Sequence, residues 1–198
     1  MIGAILQVSV SCKTEALPAD TKAKLPAELK KKLKGKIQAN YTFTDKGGLH
    51  VLALTRDSTR LPEGSDRIDL QAVQFVSNGN IWNQEWIIKD FLPCQDLDID
   101  ADFILPLTSF SDLDSNGNTE TTVAYKVACL GGVDPKPTKA ILRQGNVKYA
   151  ARGESLVTIE GTPPFGGAFT LEPNLDNIPA FKAHLTLIWK KAAGVVPQ

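Results

Sequence analysis

Short runs of alternating apolar and polar residues fill the central part of the chain, and this period of two predicts half-buried strands. The runs at residues 37–43 and 49–55 flank a polar loop with two glycines, which is typical of a hairpin. The second run is apolar at every position from Val51 to Leu54. We therefore expect it to be a central strand that is buried on both faces.

A second hairpin is predicted at residues 68–76 and 81–88, because Asn78-Gly79 between them supplies the positive φ angles of a tight turn. Trp82 and Trp86 lie an even number of residues apart, so we expect both on one strand face, packed in the core or on the sheet. Further strands are predicted at residues 121–129, 138–142, 147–150 and 156–159, with loops at 56–66 and 161–167.

Both ends of the chain show a helical period. Residues 18–36 predict a short basic helix that ends at Gly35 and whose leucines share one face: Leu25, Leu29 and Leu33. Near the other end, Asn177 is expected to cap a helix that has Pro179 in its first turn and Gly194 after its last. Its apolar face predicts packing on the sheet and consists of Ile178, Phe181, Leu185, Ile188, Trp189 and Ala192.

These elements predict a mainly β (α+β) fold, an antiparallel meander of hairpins with a short N-terminal helix and a C-terminal amphipathic helix. The arrangement of the strands stays open between an open barrel, a sandwich and a partial propeller. We expect residues 1–36 to form an N-terminal arm and residues 37–198 to form one β-rich domain that ends in the packed helix.

The distribution of charges limits the classes of function that the chain can have. Its 198 residues carry 22 basic and 22 acidic side chains, a balance that argues against nucleic-acid binding. Residues 13–36 hold eight lysines and three acids, whereas the eight charged residues between Lys89 and Lys126 are all acidic. No apolar run reaches the roughly 20 residues of a membrane span.

The apolar segment 1–11 is similar to the end of an export signal and would place Cys12 for a lipid anchor. The same segment also predicts a first strand, because it lacks a basic start. Cys94 and Cys129 flank the acidic segment and are candidates for a disulfide that leaves Cys12 unpaired. Three buried, reduced thiols are the alternative.

The segment from residue 112 to 120 places side-chain oxygens at its first, third, fifth and ninth positions. Calcium takes about six to eight oxygen ligands, and a tightly wrapped loop can supply them. We predict a structural calcium site whose ligands are Asp112, Asp114, Asn116, the backbone carbonyl of Asn118, and Glu120. A metal-free turn, in which Asp and Asn side chains bond the nearby backbone, is the alternative.

This loop is not an EF-hand, because its twelfth position is Val123 and a strand follows. Segment 112–125 instead resembles the loops of FG-GAP and VCBS-type modules of extracellular proteins, although Glu120 stands where Asp is usual. The stretch 82–155 resembles a family of bacterial envelope proteins of uncertain function, through residues 111–120, Val123-Ala124-Tyr125, Cys129 with residues 131–135, and Arg152-Gly153-Glu154. The resemblance implies export to the periplasm or cell envelope and a β-rich fold.

An acidic row follows Cys94 and consists of Asp96, Asp98, Asp100 and Asp102. On a strand these carboxylates would share one face. They would extend a metal site, form an acidic surface for a protein partner, or protect a sheet edge from aggregation.

His50 and His184 are the only histidines and are expected to be structural, and catalytic motifs such as HExxH and GxSxG are absent from the sequence. We therefore expect no catalytic residue, and a non-enzymatic, exported binding or structural protein. Two alternatives stay open. One is a periplasmic inhibitor or immunity protein whose acidic segment enters a cell-wall hydrolase or toxin; the other is a hydrolase built from carboxylates on different strands.

Overall fold

Four long strands follow one another along the first part of the chain and pair with their neighbours in sequence. The structure, a computed structural model, describes residues 24–79 and 81–198. The four strands are β1 (Lys36–Asp45), β2 (Gly48–Arg60), β3 (Asp66–Asn78) and β4 (Ile81–Cys94). They form an antiparallel sheet, sheet I, in the order β1-β2-β3-β4.

The remaining strands are shorter and build a second antiparallel sheet. They are β5 (Asp98–Phe103), β6 (Ser109–Ser111), β7 (Glu120–Leu130), β8 (Pro137–Gln144), β9 (Val147–Glu154), β10 (Leu156–Ile159), β11 (Thr162–Gly166) and β12 (Phe169–Leu171). Sheet II has the order β12-β9-β8-β7-β5, with β6 also paired to β7, while β10 and β11 form a separate hairpin. The helices are α1 (Ala27–Lys30) and α2 (Pro179–Ala193), with 3-10 turns at Leu105–Leu107 and Pro173–Leu175.

The two sheets pack face to face, because each contributes one side of its strands to a shared core. Leu52 and Trp86 of sheet I lie in this core together with Phe110 and Val123 of sheet II. The prediction of a mainly β fold of antiparallel hairpins with two terminal helices is confirmed. Of the arrangements left open by the sequence, the structure has a sandwich.

A helix covers part of the outer face of each sheet. Leu29 of α1 is fully buried against a second cluster on sheet I, Val51, Val73 and Phe75. Strand β2 is therefore buried on both faces, as its continuous apolar run predicts. On sheet II, the predicted face of α2 is buried from Phe181 to Ala192, with Ile178 half-buried before the helix. Trp189 donates its indole N–H to the carbonyl of Thr138 at 3.0 Å. Among the described residues, none of the helices has the length and hydropathy to cross a membrane.

Several predicted boundaries are wrong. Of the basic helix expected at residues 18–36, only Ala27–Lys30 is helical among the described residues, and positions 18–23 lie outside them, as do segment 1–11 and Cys12. Asn177 does not cap α2, because the cap position is Ile178 and carries no side-chain bond. The loops predicted at 56–66 and 161–167 are shorter in the structure, because β2 continues to residue 60 and β11 occupies 162–166.

Trp82 and Trp86 do not share a face, which corrects their prediction. Trp86 lies in the core between the sheets, whereas Trp82 packs on the outer cluster around Phe75. The reason is a bulge in β4: Gln74 pairs with Trp86 while Phe75 pairs with Gln84, which leaves Glu85 as the extra residue. A bulge of one residue exchanges the two faces of a strand.

Cys94 and Cys129 form a disulfide with a Cα–Cα distance of 5.8 Å. Cys94 ends β4 in sheet I, and Cys129 lies near the end of β7 in sheet II. The bridge therefore ties the two sheets together at one end of the sandwich. The loop of residues 112–119 lies at the other end of β7.

Candidate metal centre and the adjoining polar cleft

The loop between β6 and β7 wraps around its own side chains. The carboxylate of Asp112 accepts hydrogen bonds from the backbone N–H groups of Asn116 and Gly117, at 3.0 and 2.9 Å. Ser115 and Gly117 have left-handed backbone, with φ of +59° and +85°, a conformation that glycine adopts without strain. Leu113 is buried in the core beneath α2 and anchors the loop to sheet II.

Three carboxylates of this segment form one acidic group. Oxygen atoms of Asp112, Asp114 and Glu120 all lie within 4.8 Å of one another, so the group could hold a metal ion. Glu120 is 0% exposed and accepts hydrogen bonds from the backbone N–H of Leu113 at 2.5 Å and from the side chain of Gln144 at 2.6 Å. Burial raises the pKa of Glu120 to about 7, and the charges of Asp114 and Asp112 add to the effect of burial.

Of the five predicted ligands, the acidic group contains Asp112, Asp114 and Glu120. Asn116 uses its side chain inside the loop, where its oxygen accepts from the N–H of Asn118 at 2.8 Å and its nitrogen donates to Asp114 at 2.9 Å. Asn118 lines a neighbouring cleft. The loop therefore combines the backbone-bonding turn of the metal-free alternative with the acidic group of an ion site.

The donor atoms of the acidic group suit a hard divalent cation, which prefers oxygen ligands. Gln144 donates its side-chain amide to both Asp114 and Glu120, at 2.9 and 2.6 Å. A half-turn of this carboxamide would present its oxygen, instead of its nitrogen, to the same carboxylates. The four side chains thus fit a cation with carboxylate and amide oxygens.

The hairpin of β1 and β2 holds the loop from the opposite sheet. At the hairpin tip, the backbone N–H of Lys46 donates to the carbonyl of Gly117 at 2.9 Å. The carboxylate of Asp45 accepts from the N–H of Thr119 at 2.8 Å, and also from the N–H of Gly47 at 2.7 Å. These bonds connect the loop directly to sheet I.

A buried polar chain begins at Asp45 and crosses from sheet I to sheet II. His50 is 4% exposed, and its Nε2 lies 2.8 Å from Asp45 Oδ1 while its Nδ1 lies 3.3 Å from Glu85 Oε2. Gln74 donates to the same Glu85 oxygen at 2.7 Å and accepts from the hydroxyl of Thr121 at 2.8 Å. These bonds satisfy polar groups that would otherwise be costly inside the sandwich.

The pKa values of the three charged residues in this polar chain favour an imidazolium between two carboxylates. Burial alone would lower the pKa of His50, but its contacts with Glu85 and Asp45 outweigh burial and raise it. Burial would raise the pKa of both carboxyls; the N–H of Thr119 and the charge of His50 lower that of Asp45, and His50 and Gln74 lower that of Glu85. Only a protonated imidazole donates from both nitrogens, so the geometry and the charges agree.

Sequence reasoning missed this cluster. Asp45 and His50 lie on the two strands of the predicted hairpin. A histidine inside a strand that is buried on both faces needs a hydrogen-bond acceptor, and this need could have pointed to the cluster from the sequence. Glu85 is brought in by the bulge in β4, and the sequence carries no pattern for that bulge.

The acidic row does not join the metal group. It lies on the edge strand β5 and the turn before it, at the opposite end of β7 from the loop. Asp100 pairs with Lys136, and Asp102 accepts from Gln38 at 2.6 Å. Part of the predicted acidic surface is therefore engaged in contacts within the chain, while Asp96 and Asp98 are exposed.

His184 lies between α2 and sheet II. Its Nε2 is 3.1 Å from the hydroxyl of Thr122 and 3.4 Å from that of Ser109. Burial lowers the pKa of His184, so a neutral ring fits these hydroxyl neighbours.

No family model, no curated protein and no solved structure matches this chain.

Proposed function

We propose that this protein is a calcium-stabilised, non-enzymatic binding or structural module that works outside the cytoplasm. The acidic group of Asp112, Asp114 and Glu120 is the observation that carries the proposal. Three carboxylates so close together repel one another, and a divalent cation would remove that repulsion.

Calcium is the cation proposed, because it accepts irregular sets of carboxylate and amide oxygens, whereas magnesium demands near-ideal octahedral geometry. A half-turn of the Gln144 carboxamide, which contacts Asp114 and Glu120, would supply a further oxygen beside the carboxylates. The resemblance of residues 112–125 to FG-GAP and VCBS-type loops is consistent with this choice.

The ion's proposed role is structural. The loop is bonded to the hairpin tip of sheet I through Asp45 and Lys46, and a rigid loop would hold that hairpin against sheet II. At the other end of β7, the disulfide of Cys94 and Cys129 holds the sheets together covalently. In this proposal the ion and the disulfide stabilise opposite ends of one sandwich.

A location outside the cytoplasm is supported by the same disulfide, because disulfides persist in oxidising compartments and are rare in the reducing cytosol. The similarity of residues 82–155 to bacterial envelope proteins points in the same direction. We propose the periplasm or the cell envelope as the compartment.

Thermal unfolding in calcium and in chelator tests the proposal. An ion bound only by the folded protein raises the melting temperature by mass action, so we expect a higher value in millimolar calcium. Asp114→Ala should abolish the rise, whereas Asp134→Ala, which removes an exposed carboxylate, should retain it. Identical melting curves of the unmodified protein in calcium and in chelator would refute the calcium site.

A further inference from the structure

A polar cavity of about 320 Å³ opens between the hairpin tip of β1 and β2 and the loop of residues 112–119. It is lined by Asp45, Gly47, His50, Gln74, Glu85, Asn116, Asn118, Thr119, Gln144 and Gly145. We call it the polar cleft. Its volume is several times that of one water molecule, roughly 30 Å³, and lies at the lower limit of small-molecule sites.

One buried polar group of the cleft, the hydroxyl of Thr119, has no hydrogen-bond partner among the described residues. Thr119 is 4% exposed. Buried polar groups in native proteins are nearly always satisfied, so this hydroxyl indicates a binding partner that enters the cleft.

Glu85 is the charged acceptor that remains open. Its Oε2 is occupied by Gln74 and by the contact with His50, whereas its Oε1 lies near Gly145, the first residue of the turn from β8 to β9. The side chain of Glu85 is 21% exposed, so a ligand can reach it. Asn118 is an exposed residue of the same lining, and its carboxamide offers a neutral acceptor.

The charge of the cleft favours a cation. The lining holds the carboxylates of Asp45 and Glu85 and the imidazolium of His50, but neither lysine nor arginine. The charge of Arg143, outside the lining, interacts with Glu85, so His50 and Arg143 balance these two carboxylates. Beyond Gln144, the carboxylates of Asp114 and Asp112 leave a surplus of negative charge around the cleft. An anionic ligand would be repelled.

We propose that the polar cleft binds the ammonium group of a small organic amine. An ammonium group has three N–H donors and no acceptor, which matches a carboxylate oxygen, a hydroxyl and a carboxamide oxygen. The cavity is too large for a bare ion, and its open acceptors are too few for the coordination shell of calcium. This inference does not depend on a calcium ion in the loop. It deepens the proposed function, because it names a class of ligand for the binding module.

Calorimetric titration of the full chain with putrescine, propylamine, 1-propanol and propionate tests the assignment, in chelator and again in saturating calcium. The two amines should bind in both buffers, and the alcohol and the carboxylate should not. Amide chemical shifts should move in putrescine at the backbone groups of Thr119 and Gly145. Because chelator removes the loop ion, failure of the calcium proposal would leave this result intact.

Glu85→Gln should weaken the binding of propylamine by roughly tenfold or more, since it keeps the shape but removes a charged acceptor. Thr119→Val should weaken it less. Glu160→Gln makes the same charge change on an exposed residue between β10 and β11, and should bind the amine as the unmodified protein does. Circular dichroism checks that each variant is folded.

Three results would overturn the proposal: no binding of either amine, equal binding of 1-propanol, or displacement of the amine by calcium alone. Retention of full affinity in both Glu85→Gln and Thr119→Val would also overturn it, because the amine would then lie elsewhere.

Discussion

Thr119 donates its backbone N–H to Oδ2 of Asp45 over 2.8 Å, and this bond connects the loop just before β7 in sheet II with the end of β1 in sheet I. The other oxygen of Asp45 accepts from Gly47 at 2.7 Å and contacts His50 at 2.8 Å. One carboxylate therefore fixes the hairpin turn, the buried imidazole and the loop of the candidate metal centre.

Asp45→Asn should lower the free energy of unfolding by about 2 kcal/mol, the scale for loss of a buried, charge-assisted hydrogen bond. An Asn side chain has only one oxygen, so it cannot accept from both Thr119 and Gly47 and also face a charged His50. Urea unfolding in chelator measures the change. Asp134→Asn, on an exposed loop, should stay within about 0.5 kcal/mol of the unmodified protein; an equal effect of the two variants would contradict the role given to Asp45.

The stability of the metal-free protein should fall as the pH rises above 6.5. The pKa of His50 is raised above its ordinary 6.5, so its stabilising contribution is complete below that value and is lost as the pH passes the folded-state pKa. The lowered pKa values of Asp45 and Glu85 have the opposite sign, and their contributions are lost as the pH falls below about 4. These three groups alone would give a maximum between about pH 4.5 and 6.5. The raised pKa of Glu120 adds a loss of stability as the pH rises from about 4.5 to 7, so the maximum should lie near the lower end of that range.

Urea unfolding of the unmodified protein and of His50→Gln, in chelator from pH 5 to 8, measures this contribution. The unmodified protein should lose more stability than His50→Gln across the upper half of the range, because the titration of Glu120 is common to both proteins whereas only the unmodified protein has the imidazole. Parallel profiles of the two proteins would show that His50 is not the charged member of the cluster.

The periods of apolar residues in the sequence were sufficient to predict the strands and helices, but not to predict which face of every strand points into the core. The continuous apolar run at Val51 to Leu54 correctly placed β2 at the centre of a sheet, because both of its faces are covered. The bulge at Glu85 reversed the face of Trp82 relative to Trp86. A bulge depends on the pairing of two strands, and no pattern within one strand reports it.

The candidate site was predictable only where its residues are close in sequence. Asp112, Asp114 and Glu120 belong to one loop, and their spacing already indicated an acidic group. Gln144 reaches the region from β8, the neighbour of β7 in sheet II, and Glu85 reaches it from β4 in sheet I. Their contacts therefore depend on strand pairing and on the packing of the two sheets. Such contacts between distant segments leave no spacing in the sequence.

Reduction of the bridge between Cys94 and Cys129 should lower the stability by roughly 4 kcal/mol, because the bridge closes a loop with a sequence separation of 35. Titration of thiols in denaturant without reductant should find one reactive group per chain, from Cys12, and three after reduction. Urea unfolding with and without reductant measures the stability change. Three reactive thiols before reduction would contradict the bridge.

Glu120→Gln should stabilise the protein in chelator at pH 8 and remove its response to calcium. In the folded protein the pKa of Glu120 rises from 4.5 to about 7, so its ionisation at pH 8 opposes folding by roughly 3 kcal/mol. The sign follows from linkage: a carboxyl whose pKa is raised by folding loses its contribution as the pH increases through that value.

A glutamine at this position keeps the acceptor for the N–H of Leu113, and Gln144 can turn its own oxygen toward the new amide. At pH 5, where Glu120 is protonated in the folded protein, the variant and the unmodified protein should differ by less than about 1 kcal/mol. Glu160→Gln, an exposed change of the same kind, should alter neither the pH profile nor the calcium response. A Glu120→Gln protein that is no more stable than the unmodified protein at pH 8 in chelator would show that the three carboxylates do not repel one another as their distances require.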